Sequence, residues 1–339
     1  RDSIKGSDKI METELFDLTH DDPVASIRRC GEIIRNGGTV VFPTETVYGL
    51  GANALDATAV KKIFAAKGRP GDNPLIVHIA HPSDITPLVK AVPPKAKKLM
   101  DAFWPGPLTM IMERSDVVPD EVTAGLSTVA IRFPSNPYAN RLITAAGVPI
   151  AAPSANISGR PSPTKGQHVL EDMLEKVDAI LIAEDAAEVG LESTVVDMTS
   201  DMPTLLRPGG ITVDDLKGVV GEVAVSANIT KNIIPKVAKC PGMKYKHYAP
   251  KGQMVIVRGS DDERAAKIEA AIAQLKEGDH PAVLARDETI DRYHHGVIVS
   301  LGSRKDPEEM SRNLFARLRT FDDLGITHIF AEDVEMADE

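Results

Sequence analysis

Cysteine occurs only twice in 339 residues, at Cys30 and Cys240, and aromatic residues make up just 4% of the chain. Two distant thiols form neither a disulfide framework nor a metal-type cysteine pair, and they fit a reducing compartment such as the cytoplasm. So few rings leave the core to Val, Ile, Leu, Ala and Met. No apolar run approaches the ~20 residues of a membrane-spanning helix. The first ten residues, RDSIKGSDKI, are polar and lack the apolar centre of a signal peptide. A basic excess is also missing: 39 Lys and Arg stand against 49 Asp and Glu, for a formal net charge of −10. Nucleic acid is therefore not the default partner, because phosphate-backbone binding needs a basic stripe or surplus. A local basic cleft for a small anion stays open, since a cleft focuses its own field. The familiar nucleotide and hydrolase signatures are absent too: no GxxxxGK[ST], no GxGxxG after a strand, no GxSxG and no HExxH. If ATP binds, it does so by another device.

A chain of this length is comfortable as two domains, and 42% hydrophobic with 26% charged residues is ordinary globular composition. The apolar spacing predicts helices at 24–36, 58–67, 94–103 and 136–146. It predicts strands at 39–42, 75–80, 108–113, 128–133, 149–153, 180–183, 194–198 and 204–206. This irregular alternation implies an α/β fold with a twisted mixed sheet over 21–221. Residues 222–252, rich in Pro, Gly and Lys, read as a linker that orders only by packing on something else. Alternation restarts at 253–339, with strands at 253–258, 282–286, 296–301 and 326–331 and helices at 262–276 and 307–323. That pattern predicts a smaller Rossmann-like second domain.

Five segments carry polar chemistry at strand ends. FPTETVYGLGANALD, from Phe42, places Thr44, Glu45, Thr46 and Tyr48 before Gly49 and Gly51. Hydroxyls in a glycine-flanked turn bind a carboxylate or simply cap the backbone. FAAKGRPGDNPLIVHI sets Lys67 and Arg69 at a helix end, where cations suit the dipole and equally suit phosphate. His78, in the apolar strand that follows, is either a satisfied core histidine or a ligand contact. STVAIRFPSNP puts Arg132 on an apolar strand, where an unpaired charge is costly. Arg132 therefore needs an anion, from a protein carboxylate or from a substrate. PIAAPSANISGRPSPT offers Ser154, Asn156, Ser158, Gly159 and Ser162 at a strand end, as turn residues or with room for a ligand. ESTVVDMTSDMPTLLRPGGIT contributes Ser193, Thr194 and Arg207.

As a set, PTETVYGLG, KGRPGDNPLIVH, FWPGPLT, VAIRFP, APSANISGRPSPT, ESTVVD and LRPGGI resemble the YrdC-type threonylcarbamoyl-adenylate synthases over residues 21–333. KHYAP, followed by a restarted α/β pattern, resembles the long form with a C-terminal domain. One departure is that the long form leads from its last strand into a further helix, whereas this sequence stops at Glu339. The resemblance implies a YrdC-like catalytic domain at 21–221 and a Rossmann-like domain at 253–339; the linker at 222–252, too apolar in places for a free coil, is either a lid over the site or a connection that Tyr248 anchors to the second domain. Its KxR and SxN signature falls on Lys67, Arg69, Ser154 and Asn156 as catalytic residues. It implies ATP contacts at Arg69, Asn73, Thr128, Ser154, Ser162, Arg207 and Tyr248. It implies threonine contacts at Thr46, His78, Arg132, Ala152 and Ser193, with Thr44 beside them.

The implied reaction joins L-threonine, bicarbonate and ATP, with Mg²⁺, into L-threonylcarbamoyl-AMP and pyrophosphate. Partner threonylcarbamoyl transferase proteins then modify tRNA beside the anticodon, and direct tRNA binding is not required. Such chemistry asks for fixed cations and hydroxyl donors more than for a strong base. Two rival readings are an RNA-binding module using the same cleft and a carbamoyltransferase using carbamoyl phosphate. No metal ligands are legible in the sequence.

Overall fold

The computed structural model describes residues 10–184, 186–243 and 249–334. The chain begins with β1 (Glu14–Asp17), α1 (Pro23–Arg35), β2 (Val40–Phe42), β3 (Gly49–Asn53), α2 (Ala57–Lys67) and β4 (Ile76–His78). It continues through α3 (Pro94–Phe103), β5 (Leu108–Glu113), α4 (Asp120–Thr123), β6 (Thr128–Arg132), α5 (Pro137–Ala146), β7 (Ile150–Ala152) and α6 (Gly166–Met173). Next come β8 (Ala179–Ile182), β9 (Thr194–Asp197), β10 (Thr204–Arg207), α7 (Val213–Val220), β11 (Ala224–Val225) and α8 (Ala227–Thr230). The last stretch holds β12 (Gln253–Val257), α9 (Asp261–Ala273), β13 (Pro281–Ala285), β14 (Val297–Ser300), α10 (Pro307–Asp323) and β15 (His328–Glu332).

The first eleven strands form one mixed sheet in the order β1-β8-β2-β3-β7-β4-β6-β5-β9-β10-β11. β4 runs parallel to β6 but antiparallel to β7, and β5 runs antiparallel to β6 but parallel to β9. The sheet reaches past the 21–221 span expected from the sequence, because Glu14–Asp17 pairs with β8 and Ala224–Val225 pairs with β10. The remaining four strands form an all-parallel sheet, β12-β15-β13-β14. Phe315, Leu318 and Phe321 of α10 pack in one buried cluster with Ala282, Leu284 and Ile329, while Ile268 of α9 packs with Val283, Ala285 and Phe330. Alternate strand residues thus face opposite helices, the doubly wound arrangement expected of the second domain.

Local signals explain the helix ends that matter. α2 starts on Asp56, whose carboxylate accepts from the Thr58 and Ala59 N–H groups, and stops at Gly68 in the left-handed region, φ 64°. Lys67 is therefore the last helical residue, and Arg69 begins the loop. Asn136 caps α5 ahead of Pro137, and Gly147 ends that helix at φ 70°.

One segment departs from expectation. The glycines of GLGAN suggest a turn, yet the segment is the interior strand β3, paired with β2 and β7. A Cβ on Gly51 would lie 2.6 Å from Ile150 Cγ2 and 2.8 Å from a ring carbon of Phe42, so glycine lets neighbouring side chains close over the strand. Part of the 222–252 segment is ordered by packing on the first domain. Ala238, Cys240 and Met243 bury against Ile76, Ile111, Ala130, Val195 and Leu206 on one face of the large sheet.

Candidate active site

Strand alternation builds the floor of the site. Val77, Val129 and Ile131 point into the main core, while Ile76, His78, Ala130 and Arg132 occupy the opposite face. On that face Phe42, Ile150 and Ala152 pack beneath α1 and α5, and the 238–243 segment covers Ile76 and Ala130. Between these two covers lies a cavity of about 620 Å³, part of it open to solvent. Thr46, Lys67, Arg69, His78, Arg132, Ala152, Ser154, Asn156, Ser193 and Arg207 all line it, together with Thr44, Glu192 and Pro241. Five segments far apart in sequence thus meet in one place.

Each charged group is held by named partners. Lys67 is buried, and its ammonium donates to the carbonyls of Ser154 (2.5 Å) and Asn156 (2.8 Å), with Asn156 Oδ1 at 3.5 Å. Burial, and then Arg69, holds its pKa well below the usual lysine value. Lys67 thereby fixes the loop that carries Ser154 and Asn156, where Ser154 Oγ donates to Asn156 Oδ1 at 2.5 Å. Arg69 lies over the Phe64 ring at 5.3 Å and donates to the Asn73 carbonyl at 3.3 Å. Arg207 donates from Nε to the Ser193 carbonyl (3.0 Å), from Nη2 to Ser193 Oγ (3.1 Å) and from Nη1 to the Pro241 carbonyl (3.3 Å).

Arg132 resolves the question its sequence position raised. It forms an ion pair with the buried Glu45 carboxylate and donates to Thr46 Oγ1 at 2.9 Å and to the Gly106 carbonyl at 3.4 Å. Glu45 accepts in addition from the N–H and hydroxyl of Ser135. Burial, and secondarily Arg207, lowers the Arg132 pKa to about 9, which leaves the guanidinium charged at neutral pH. His78 is buried, meets Phe42 edge-on at 6.1 Å between ring centroids, and places Nδ1 3.0 Å from the Ile76 carbonyl. Burial pushes its pKa down to about 4, so the ring is neutral at physiological pH. It is at once a satisfied histidine and part of the cavity wall.

Three expected ATP contacts stand apart from this wall. Asn73 is fully buried, with neither amide atom hydrogen-bonded. Thr128 opens β6, two pleats before Arg132. Ser162 is buried and donates its hydroxyl to Glu192, which does line the cavity. Burial pushes the Glu192 carboxyl above its usual value, against the pull of Arg207. Tyr248 lies outside the described residues. Thr44 Oγ1 accepts from the N–H groups of Thr46 and Val47, both at 3.2 Å, and donates to the Val47 carbonyl, so it caps the turn as simple turn chemistry predicts.

Sequence pattern alone assigns no role to Glu45, Thr109 or Glu192. Thr109 stands opposite Arg132 across β5 and β6 and shares a 2.7 Å hydrogen bond with Ser193. Glu45 was within reach, since Arg132 required an anion and Glu45 sits inside the PTETVYGLG segment.

Known proteins resemble this chain over most of its length. The Sua5/YciO/YrdC family model, described as telomere recombination, matches residues 32–209, and one described as threonylcarbamoyl-AMP synthase, C-terminal domain, matches residues 211–339. The threonylcarbamoyl-AMP synthase of Pyrococcus abyssi is 47% identical over 91% of this chain and 89% of its own length. The chain belongs to the threonylcarbamoyl-AMP synthase family. The Bacillus subtilis synthase is 43% identical over 93% of this chain and 89% of its own length. A crystal structure of Pyrococcus abyssi Sua5 complexed with L-threonine superposes with a TM-score of 0.89 at 45% identity, covering 95% of this chain and 92% of that one. The synthase fold therefore spans both domains. Among the described residues no helix is long and apolar enough to cross a membrane.

Proposed function

We propose that this synthase condenses L-threonine, bicarbonate and ATP into L-threonylcarbamoyl-AMP and pyrophosphate. One observation carries the reading: Lys67, Arg69, Arg132 and Arg207 converge on a single cavity with hydroxyl donors and an uncharged histidine, in a chain of net charge −10. The threonine amine adds carbon dioxide, derived from bicarbonate, to give a carbamate. A carbamate oxygen attacks the α-phosphorus of ATP, and the bond to pyrophosphate breaks. Charge moves onto pyrophosphate, so fixed cations stabilise the transition state more than a base would. Arg132 presents donors to the threonine carboxylate beside Thr46, with His78, Ala152 and Ser193 shaping the pocket for its side chain. Arg69, Arg207, Ser154 and Asn156 face the nucleotide, and Lys67 holds the Ser154–Asn156 segment in place. The product is a labile anhydride, and the 238–243 cover with Pro241 at the wall helps exclude water.

Glu192, on the wall, would be the carboxylate to hold Mg²⁺ beside the phosphate oxygens, with the cation's charge offsetting the burial that pushes that carboxyl's pKa up. The cation would neutralise charge on the leaving pyrophosphate. The product would pass to threonylcarbamoyl transferase proteins acting on tRNA, in the cytoplasm, where two buried free thiols remain reduced.

Pyrophosphate release tests the reading. It should require ATP, L-threonine and bicarbonate together, with serine slower by about 10- to 200-fold for one missing methyl group. Activity with carbamoyl phosphate in place of ATP and bicarbonate would favour the carbamoyltransferase reading. Tight RNA binding with a steep salt dependence, and no pyrophosphate, would favour the RNA-binding reading.

A further inference from the structure

The 154–162 loop, which lines the cavity through Ser154, Asn156, Ser158 and Gly159, is pinned by three buried charges from three different helices. Lys67 of α2 holds its start through the Ser154 and Asn156 carbonyls. Asp172 of α6, wholly buried, holds its middle: Oδ2 accepts from the Ile157 N–H at 3.0 Å, and Oδ1 accepts from Arg160 at 2.7 Å. The third charge comes from the second domain. Arg319 of α10 is 1% exposed, and its Nε and Nη2 donate to the Pro161 carbonyl at 3.1 and 2.8 Å. The same guanidinium donates to both Asp172 oxygens, at 3.2 and 2.8 Å.

We propose that Arg319 is a positioning residue for nucleotide binding, through which the second domain sets the geometry of the 154–162 loop. The proposal rests on the reading of that loop as part of the ATP site. Arg319 does not merely tie one domain surface to another. It ends on the loop's own backbone, one residue before Ser162, whose hydroxyl reaches Glu192 on the cavity wall. A bidentate guanidinium–carboxylate pair also fixes orientation, which a single-point contact does not. Without Arg319 the Pro161 carbonyl loses both side-chain donors in a buried setting, and Asp172 keeps only Arg160 and the Ile157 N–H. A second, independent contact places the domain beside the site: Val47, next to Thr46, belongs to the same buried cluster as Met310, Phe315 and Leu318.

The test compares full-length wild type, Arg319→Met, Arg319→Lys and Asp172→Asn by calorimetry with a non-hydrolysable ATP analogue and, separately, with L-threonine. Arg319→Met should weaken analogue binding by on the order of tenfold or more, the loss of charge-assisted hydrogen bonds, while threonine affinity stays within about twofold. Arg319→Lys should recover part of the loss, and Asp172→Asn should resemble Arg319→Met. If Arg319→Met does not fold, Arg319→Lys and Asp172→Asn give the same readout. A fall in Tm with wild-type analogue affinity in the folded variants would show that Arg319 serves stability alone and would overturn the proposal. Absence of analogue binding by the wild type would overturn the ATP-site reading itself, a distinguishable result.

Discussion

The guanidinium of Arg132 is clamped between the Glu45 carboxylate and Thr46 Oγ1, so the cation that faces the cavity already carries an internal counter-ion. This pair lets a charge sit on an otherwise apolar strand. It also means that a threonine carboxylate reaching Arg132 joins an existing network. The two members should respond differently to substitution.

Glu45→Ala leaves a buried guanidinium uncompensated and should destabilise the fold by about 3–5 kcal/mol. Glu45→Gln keeps the shape and some hydrogen bonding and should cost less. Urea denaturation of both variants checks the order. Equal, wild-type stability in both would mean that the pair is not needed.

Arg132→Ala should lose threonine affinity while retaining ATP affinity in whatever fraction remains folded. Arg69→Ala should do the reverse. Each removes charge-assisted contacts worth about 1.5–3 kcal/mol, or roughly 10- to 150-fold in affinity. Titration calorimetry with each ligand separates the two. If both variants bind both ligands as wild type does, the division of the cavity is wrong.

His78 carries a pH signature. Its folded pKa, about 4, lies below the ordinary 6.5, so between those values the unfolded chain binds the extra proton. Its contribution to stability is complete above about pH 6.5 and shrinks as pH falls towards 4. The total is on the order of 3 kcal/mol for a shift of this size. His168, also held near 4 by burial, adds to the same slope. Denaturation at pH 7, 5.5 and 4.5 should show steadily falling stability, with a shallower fall in His78→Gln. The His78 ring resonances should not titrate between pH 6 and 8, and a midpoint near 6.5 would contradict the buried neutral ring.

Lys67 offers a further contrast. It touches the Ser154 and Asn156 carbonyls, so Lys67→Ala should loosen the loop and impair ATP binding along with stability. Lys67→Arg, longer and planar, should not restore it, because a compact ammonium reaches both carbonyls where a rigid fork does not. ATP calorimetry on the arginine variant measures the difference, and full recovery would show that only the charge matters.

Most of the helices and strands followed from apolar spacing, because each buries one stripe or one face and the sequence records that period. The helix ends at Gly68 and Gly147 were marked by residues that alone adopt the left-handed cap cheaply. The strand Gly49–Asn53 was not legible. Its glycines carry no β-propensity and are explained only by Phe42 and Ile150 closing over them. α6 and α7, only eight residues each, are too short for an apolar stripe to stand out in the sequence.

For the site, the sequence by itself determined which residue types were present and that Arg132 needed an anion. It also determined that the polar segments cluster at strand ends, where a ligand has room. Only the tertiary structure decided that Glu45 supplies the anion, that Lys67 spends its donors on the loop backbone, and that Arg319 reaches Asp172 and Pro161 from the second domain. The reason is physical. Periodicity reports which face of an element is buried, whereas the partner of a buried charge is set by sheet order and domain packing. Those contacts join residues far apart in the chain, and no local pattern encodes them.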